Sequence, residues 1–232
     1  MQSNTNIRVP TLAEILVPRT GIVADAILIV GFAFFTAAFA QIAIKFPGTP
    51  VPITGQTLAV LVAGGALGSK RGALSMVVYM LLGMFMPVFA PGGAVLAEKT
   101  VHFILPWNGT GGMVWNLASG GYIVGFILGA YVVGLLAERG WDRGSKISLG
   151  MLYGNLSIYI FGLGWLGFNI AFNTIPGTEL TFYEAMAGNN VLDKTLRGGL
   201  YPFIGGDALK LLAASIVLPG AWDIVNRIKG KS

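Results

Sequence analysis

Long apolar runs alternate with short polar segments along most of the chain. A helix needs about 20 apolar residues to cross a hydrocarbon core about 30 Å thick, so each run of that length predicts one membrane-crossing helix. Six runs fit, the second of them short: Ala26–Ile44, Val51–Leu67, Gly72–Phe89, Gly120–Leu136, Ile147–Ile170 and Gly199–Leu218. The pattern predicts an all-α integral membrane protein, a compact bundle of six transmembrane helices.

Basic residues concentrate in alternate connections between these runs. With the N-terminus inside, the inner segments carry Arg8, Arg19, Lys70, Arg71, Arg139, Arg143, Lys146, Arg227, Lys229 and Lys231, and the outer segments carry Lys45, Lys99, Lys194 and Arg197. Because cytoplasmic loops are enriched in Lys and Arg, both termini are expected in the cytoplasm. The expected organisation is a cytoplasmic N-terminal segment (1–23), a membrane domain (24–220) and a cytoplasmic tail (221–232) in a multi-pass protein of the cell membrane.

Composition narrows the class of protein. With 54% hydrophobic and 11% charged residues and a mean hydropathy of +0.72, the chain lacks the polar surface of a water-soluble domain. The pI near 9.6 comes from basic clusters between spans, so membrane lipids are expected as partners and nucleic acid is not. No cysteine is present, and His102 is the sole histidine, so we expect no metal site and no thiol chemistry.

Glycines recur at helical spacing. The sets Gly64/Gly68/Gly72, Gly121/Gly125/Gly129 and Gly150/Gly154 are each expected on one helix face, out of 34 glycines in all. Small residues at this spacing let helix backbones approach closely. They indicate a tightly packed bundle rather than ligand contacts.

Two ionisable residues fall inside the last apolar run. Asp207 and Lys210 lie three residues apart in LYPFIGGDALKLLAAS, which places them on roughly one helix face. A charge inside a span costs at least about 2.5–3.5 kcal/mol on insertion scales, so such residues usually face the protein interior and serve a function. The alternative is an internal ion pair that only neutralises itself.

Other polar residues are predicted at the depth of Asp207, which lies about eight residues from the outer end of its helix, or roughly 12 Å. Thr54 and Gln56 open the second span, and Asn116 and Tyr122 flank the start of the fourth. Each alone suits a helix cap or an interfacial anchor, but their shared depth favours a ligand pocket.

Asn155 and Tyr159 share a face of the fifth span, nearer its middle. A buried interhelical hydrogen bond and a ligand contact both account for such a pair. Asn155 is retained as a candidate ligand-binding residue.

Several segments together resemble the BioY proteins, the biotin-binding S components of energy-coupling-factor (ECF) transporters. The similar segments are VPITGQTLAVLVAGGALGSKRGALSMVVYMLLGMFMPVFAPGG, GGYIVGFILGAYVVGLLAERGWDR, GNLSIYIFGLGWL and PFIGGDALKLLAASIVLPGAW. The resemblance implies high-affinity biotin uptake by a membrane protein that is not an enzyme and has no cofactor. The implied partners are a coupling membrane subunit and two ATP-binding-cassette ATPases.

The resemblance also implies roles for particular residues. Asp207 and Lys210 match the family's ligand-binding acid and base, and Asn116 and Tyr122 match further contacts. In the expected mechanism Asp207 accepts ureido N–H bonds, Lys210 or Asn116 donates to a biotin oxygen, and residues such as Tyr122 enclose the bicycle. Ala33 and Ala37 fit the A-x-x-x-A pattern with which members dock the coupling subunit.

The chain departs from the usual family pattern in its outer connections. The segments 91–119 and 169–198 are longer than expected, and SGGY stands where TGGY is commoner.

The sequence alone leaves two rival functions open. One is a stand-alone facilitator or ion-coupled carrier of biotin or a similar solute that titrates Asp207, and the other is a membrane enzyme with a lipid-soluble substrate.

Overall fold

The computed structural model describes residues 8–17, 21–92, 99–144 and 146–230, and these form a mostly helical protein. The expectations concerning Arg19 and Lys231 lie outside the described residues. The α-helices are α1 (Leu12–Leu16), α2 (Ile22–Ala40), α3 (Gln56–Leu67), α4 (Ser69–Phe85), α5 (Gly120–Ala137), α6 (Ile147–Phe172), α7 (Phe182–Ala185), α8 (Val191–Gly199) and α9 (Ile204–Ile228). Four of them, α2, α5, α6 and α9, are long and apolar enough to cross a membrane.

Each of the six predicted spans overlaps one of the helices α2, α3, α4, α5, α6 and α9, but several bounds differ. Helices α5 and α6 agree with prediction to within two residues. The first predicted span runs four residues past the end of α2, because the apolar residues after Ala40 enter a strand and a short apolar run does not distinguish the two structures. The second begins too early, since Pro52 disfavours helical backbone at the residue before it and α3 starts only at Gln56.

The last predicted span is also displaced. Gly199 ends α8, and α9 begins at Ile204 after the Tyr201-Pro202 step and continues to Ile228 with Pro219 inside it. The short helices α1, α7 and α8 were not predicted, because each has fewer residues than a membrane-crossing run.

A small three-stranded sheet departs from the all-α prediction. Its strands are β1 (Ala43–Lys45), β2 (Ile53–Thr54) and β3 (Thr100–His102), in the order β2-β1-β3 with both pairings antiparallel. In the register, Ala43 lies opposite both Thr54 and His102. The sheet ties the connection after α2 to the long segment before α5.

Close approach of α5 and α6 forms the centre of the bundle. A methyl group added at Gly125 would lie 2.7 Å from the carbonyl oxygen of Ile158, which is well inside van der Waals contact. The prediction that Gly64, Gly68 and Gly72 share one helix face is wrong. Gly68 separates α3 from α4 with φ +84°, although Gly72 does pack against Gly64 across that turn.

A basic cluster surrounds α1 at one end of the bundle. Arg8 and Arg71 both reach the Glu14 carboxylate, the Arg143 guanidinium donates to the Pro10 carbonyl, and the Lys229 ammonium donates to the Ile15 carbonyl. Helices α3, α5 and α9 all end on this side. Their opposite ends, where these three helices begin, surround the candidate site.

Candidate ligand-binding site

A cavity of about 270 Å³ lies among the starts of α3, α5 and α9 and the middle of α6. All seven residues predicted to bind a ligand line it: Thr54, Gln56, Asn116, Tyr122, Asn155, Asp207 and Lys210. The structure therefore brings together side chains that lie up to 156 positions apart in the sequence. Their role in binding a ligand remains a prediction.

The Asp207 carboxylate is the polar centre of the cavity. The Lys210 ammonium, one turn along α9, donates to Oδ1 at 2.9 Å. Two residues of α6 donate to Oδ2, the Tyr159 hydroxyl at 2.5 Å and the Asn155 amide at 3.2 Å. The side chains of Asp207 and Lys210 are only 8% and 14% exposed, so the ion pair is largely withdrawn from solvent.

This arrangement goes beyond a self-neutralising pair. The Asp207 carboxylate receives hydrogen bonds from its own helix and from α6, and both charges border an open cavity. Buried charges are tolerated when they are paired and hydrogen-bonded, and here those partners also fix where the carboxylate lies. The pair has no net charge, which suits a ligand group that is polar but uncharged.

Aromatic rings form one wall beside the carboxylate. The Tyr122 ring meets the Tyr159 ring edge to face at 5.9 Å and stacks on Phe203 at 6.4 Å. The Tyr122 hydroxyl donates a hydrogen bond to the carbonyl oxygen of Gly199, the last residue of α8, at 2.8 Å. Tyr122 therefore lines the cavity with a hydroxyl that already has a partner.

Thr54 and Gln56 also line the cavity, and their side chains bond to each other. The Thr54 hydroxyl donates to the Gln56 side-chain oxygen at 2.8 Å, and the Gln56 amide donates to the Tyr79 hydroxyl at 2.6 Å. Both residues are buried, so this chain of hydrogen bonds fixes their orientation. Asn116, by contrast, is exposed at the cavity mouth in a single 3₁₀ turn, Val114–Asn116.

Two connecting segments contribute to the lining of the cavity. Ile175, Pro176 and Phe182 line the cavity from the segment between α6 and α8, and Pro50 lines it from the segment before β2. The buried Lys194 ammonium donates to the Met186 carbonyl and lies 4.5 Å from the Tyr183 ring centroid, holding α7 against α8.

Short helix α7 has a capping box at its start. The Thr181 hydroxyl accepts from the Glu184 amide, and the Thr181 amide donates to the Glu184 carboxylate. Hydrogen bonds from the Thr181 backbone and hydroxyl hold the pKa of Glu184 below its ordinary value. The hydrogen bonds of this cap therefore stabilise the folded protein fully at pH values above the ordinary pKa of a glutamate carboxyl group. This stabilisation is lost as the pH falls through the lowered pKa of Glu184.

The structure does not expose the predicted docking pair. Ala33 and Ala37 are both 0% exposed, on the face of α2 that packs against α4 within the bundle. A partner could touch them only if α2 separated from its neighbours. The accessible side of α2 instead carries larger apolar residues: Ile22, Val23, Ile27, Val30 and Phe34. The role of the alanine pair in docking a partner remains a prediction.

Sequence reasoning did not identify the apolar walls of the cavity. Phe89, Phe126, Ile158 and Phe203 line it, yet each looks like an ordinary core or lipid-facing residue in an apolar run. Phe203 carried one usable signal, its position four residues before Asp207. Tyr159 was paired with Asn155 by spacing alone, and its bond to Asp207 required the fold.

Comparison with known proteins places the chain in a family context. The BioY family model matches residues 8–109 and 105–227. The biotin transporter BioY of Thermotoga maritima is 32% identical over 183 residues, covering 75% of this chain and 82% of that protein. The probable biotin transporter BioY of Pyrococcus horikoshii is 31% identical over 191 residues, covering 82% and 91%.

A solved structure has a similar fold. The S component for biotin from an ECF-type ABC transporter superposes with a TM-score of 0.60 at 20% sequence identity, covering 87% of this chain and 92% of that one. At this identity the likeness concerns the fold. The mostly helical architecture is therefore shared with that S component.

Proposed function

This chain belongs to the BioY family, and on that premise we propose that it takes up biotin by binding it in the cavity around Asp207. The family is one of transporters, and the chain is not an enzyme. The observation that carries the proposal is a carboxylate and an ammonium, both largely buried, bordering one cavity with aromatic walls. Biotin is then the transported ligand, with no cofactor involved.

The ureido ring of biotin matches the polar end of this cavity. It presents two N–H donors and one carbonyl acceptor, and the cavity offers Asp207 as acceptor and Lys210 as donor. The Asn155 side-chain oxygen is buried and has no hydrogen-bond partner among the described residues. A ligand N–H would satisfy that oxygen, which otherwise costs about 1–3 kcal/mol.

The rest of biotin is largely apolar and suits the aromatic wall. Tyr122 and Phe203 present ring faces beside the carboxylate, so they would enclose the bicycle once the ureido group is bound. Thr54, Gln56 and Asn116 supply neutral polar groups farther around the cavity. A site built on such hydrogen bonds rejects analogues that lack them, because its own buried groups would be left unpaired.

The finer topology is also part of the proposal. Helices α3 and α4 accompany the four longer helices through a plasma membrane, giving six crossings in a domain at 24–220 flanked by cytoplasmic segments at 1–23 and 221–232. The basic cluster around α1 lies opposite the cavity, which supports an inner location for the cluster and an outward-facing cavity.

The chain by itself supplies the binding half of transport. We propose that a coupling membrane subunit and two ATP-binding-cassette ATPases complete an ECF-type transporter. The solved protein that shares this fold is an S component from a transporter of that type. The exposed apolar side of α2 is compatible with a membrane partner as well as with lipid. A stand-alone facilitator or proton-coupled carrier is the alternative that the following experiment separates.

Uptake into vesicles tests the proposal. Proteoliposomes holding this chain with the coupling subunit and both ATPases should accumulate radiolabelled biotin when ATP is present on the ATPase side. Vesicles holding the chain alone should bind biotin without accumulating it. A non-hydrolysable ATP analogue is the control and should abolish accumulation. Accumulation by the chain alone under a proton gradient would contradict the ECF-type assembly and support the carrier.

A further inference from the structure

The Asp207 carboxylate is held from two helices, and its two oxygens are not equivalent. Oδ2 receives two donors from α6, the Tyr159 hydroxyl at 2.5 Å and the Asn155 amide at 3.2 Å. Oδ1 receives one donor, the Lys210 ammonium at 2.9 Å. An ionised carboxylate has about four acceptor positions, so Oδ2 is filled and Oδ1 keeps one position for a ligand.

Lys210 alone would not set this geometry. It lies one turn from Asp207 on the same helix, and its flexible stem lets the ammonium follow the carboxylate through several rotamers. Tyr159 projects from α6, where Ile158 packs against Gly125 of α5, and its ring abuts the Tyr122 ring. Its hydroxyl therefore holds Oδ2 from a fixed point outside α9.

We propose that Tyr159 is a positioning residue for biotin binding, whose hydroxyl orients the Asp207 carboxylate so that the free position of Oδ1 meets a ureido N–H. This inference rests on the proposed function, since it assigns the geometry of that same site. The short charge-assisted bond between the Tyr159 hydroxyl and Asp207 fixes one carboxylate oxygen and thereby aims the other. A ligand then meets an acceptor that is already oriented, and this lowers the cost of ordering the site on binding.

The test is a thermodynamic cycle on biotin affinity with four proteins: wild type, Tyr159→Phe, Asp207→Asn and the double variant. Tyr159→Phe keeps the ring and removes only the hydroxyl. It should weaken biotin binding by about 10- to 100-fold in the wild-type background, the range for a hydrogen bond to a charged group. In the Asp207→Asn background the same change should cost less than about threefold, because the carboxylate it orients is already absent.

A matched control lies on the same helix. Tyr153 is 48% exposed and lies away from the cavity, so Tyr153→Phe should leave biotin affinity unchanged. An equal loss from Tyr159→Phe in both backgrounds, or no loss in either, would overturn the proposal. Failure of the wild type to bind biotin would instead count against the proposed function itself.

A second readout covers the case in which the Asp207→Asn proteins bind too weakly to measure. Wild type should prefer biotin over a derivative methylated on the ureido nitrogens, because the derivative cannot donate to Asp207. Tyr159→Phe should reduce that preference by about tenfold, the effect of losing about 1.4 kcal/mol of oriented hydrogen bonding. If biotin and the derivative weaken by the same factor, Tyr159 only supports the fold and the positioning role is refuted.

Discussion

Replacing Asp207 with Asn should weaken biotin binding by at least about 100-fold. The variant keeps the shape of the side chain but removes the negative charge, so hydrogen bonds from charged or polarised donors lose about 1.5–3 kcal/mol each. The bond from a ligand N–H corresponds to about one to two orders of magnitude in affinity. The Asn amide nitrogen also donates where a carboxylate oxygen accepts, so one end of the new side chain opposes the ligand donor or the Lys210 ammonium and adds to the loss. Equilibrium binding of radiolabelled biotin to the purified protein measures the loss.

The control for this variant lies on the same helix. Asp223 is exposed near the far end of α9, so Asp223→Asn should bind biotin like the wild type. Asp207→Asn also leaves the Lys210 ammonium without its carboxylate, so thermal unfolding in detergent is recorded alongside. Undiminished biotin affinity in an Asp207→Asn protein that remains folded would show that the carboxylate does not bind the ligand.

Replacing Gly125 with Leu should cause a large loss of stability. A Cβ atom at this position would lie 2.7 Å from the Ile158 carbonyl oxygen and 3.0 Å from its Cα atom, and backbone atoms cannot rotate away. Overpacking typically costs about 1–3 kcal/mol, and a whole leucine side chain at a backbone contact belongs at or above the top of that range. For a chain of this length, that cost lowers the unfolding midpoint by roughly 6–12 °C.

Gly164 provides the matched control on α6. Among the described residues, an added Cβ there would meet no atom within 4 Å, so Gly164→Leu should leave the unfolding midpoint within about 2 °C of wild type. Thermal unfolding in one detergent compares the two variants directly. Equal midpoints for Gly125→Leu and Gly164→Leu would mean that α5 and α6 do not pack as closely as the structure has them.

The length of an apolar run predicted the bounds of a helix well where the helix and the run begin and end at nearly the same residues. Helices α5 and α6 are bounded by glycine, polar or charged residues, and their limits were predicted to within two residues. The method failed where an apolar segment is not helical. Ala43 and Ile44 are apolar enough to extend the first run, yet they belong to a strand that pairs with residues 53–54 of the same connection and with residues 100–102 of the connection before α5. The pairing with residues 100–102 depends on contacts distant in sequence.

The polar residues that line the cavity were predictable from the sequence, but the hydrogen bonds among them were not. Ionisable residues inside a membrane span are costly and therefore rare, so Asp207 and Lys210 could be identified from the sequence without knowledge of the fold. Shared depth then selected Thr54, Gln56, Asn116 and Tyr122, which do line the same cavity. Which donors reach the carboxylate depends on how α6 is rotated relative to α9. The sequence of a single helix does not determine that rotation.

The docking prediction shows the limit of short spacing patterns. Ala33 and Ala37 do lie on one face of α2, as their four-residue spacing requires, but this face packs inward. Small residues suit any close helix contact, whether within a chain or with a partner. Spacing identified the face correctly and could not tell which neighbour covers it.

Equilibrium binding of radiolabelled biotin to the purified wild-type chain, with desthiobiotin and lipoate as competitors, tests the central claim most directly. The cavity around Asp207 predicts saturable binding of one biotin per chain. Desthiobiotin, which keeps the ureido group, should displace the label, and lipoate, which lacks that group, should not. Absence of saturable binding by the folded protein, or displacement by lipoate as effectively as by desthiobiotin, would contradict the account.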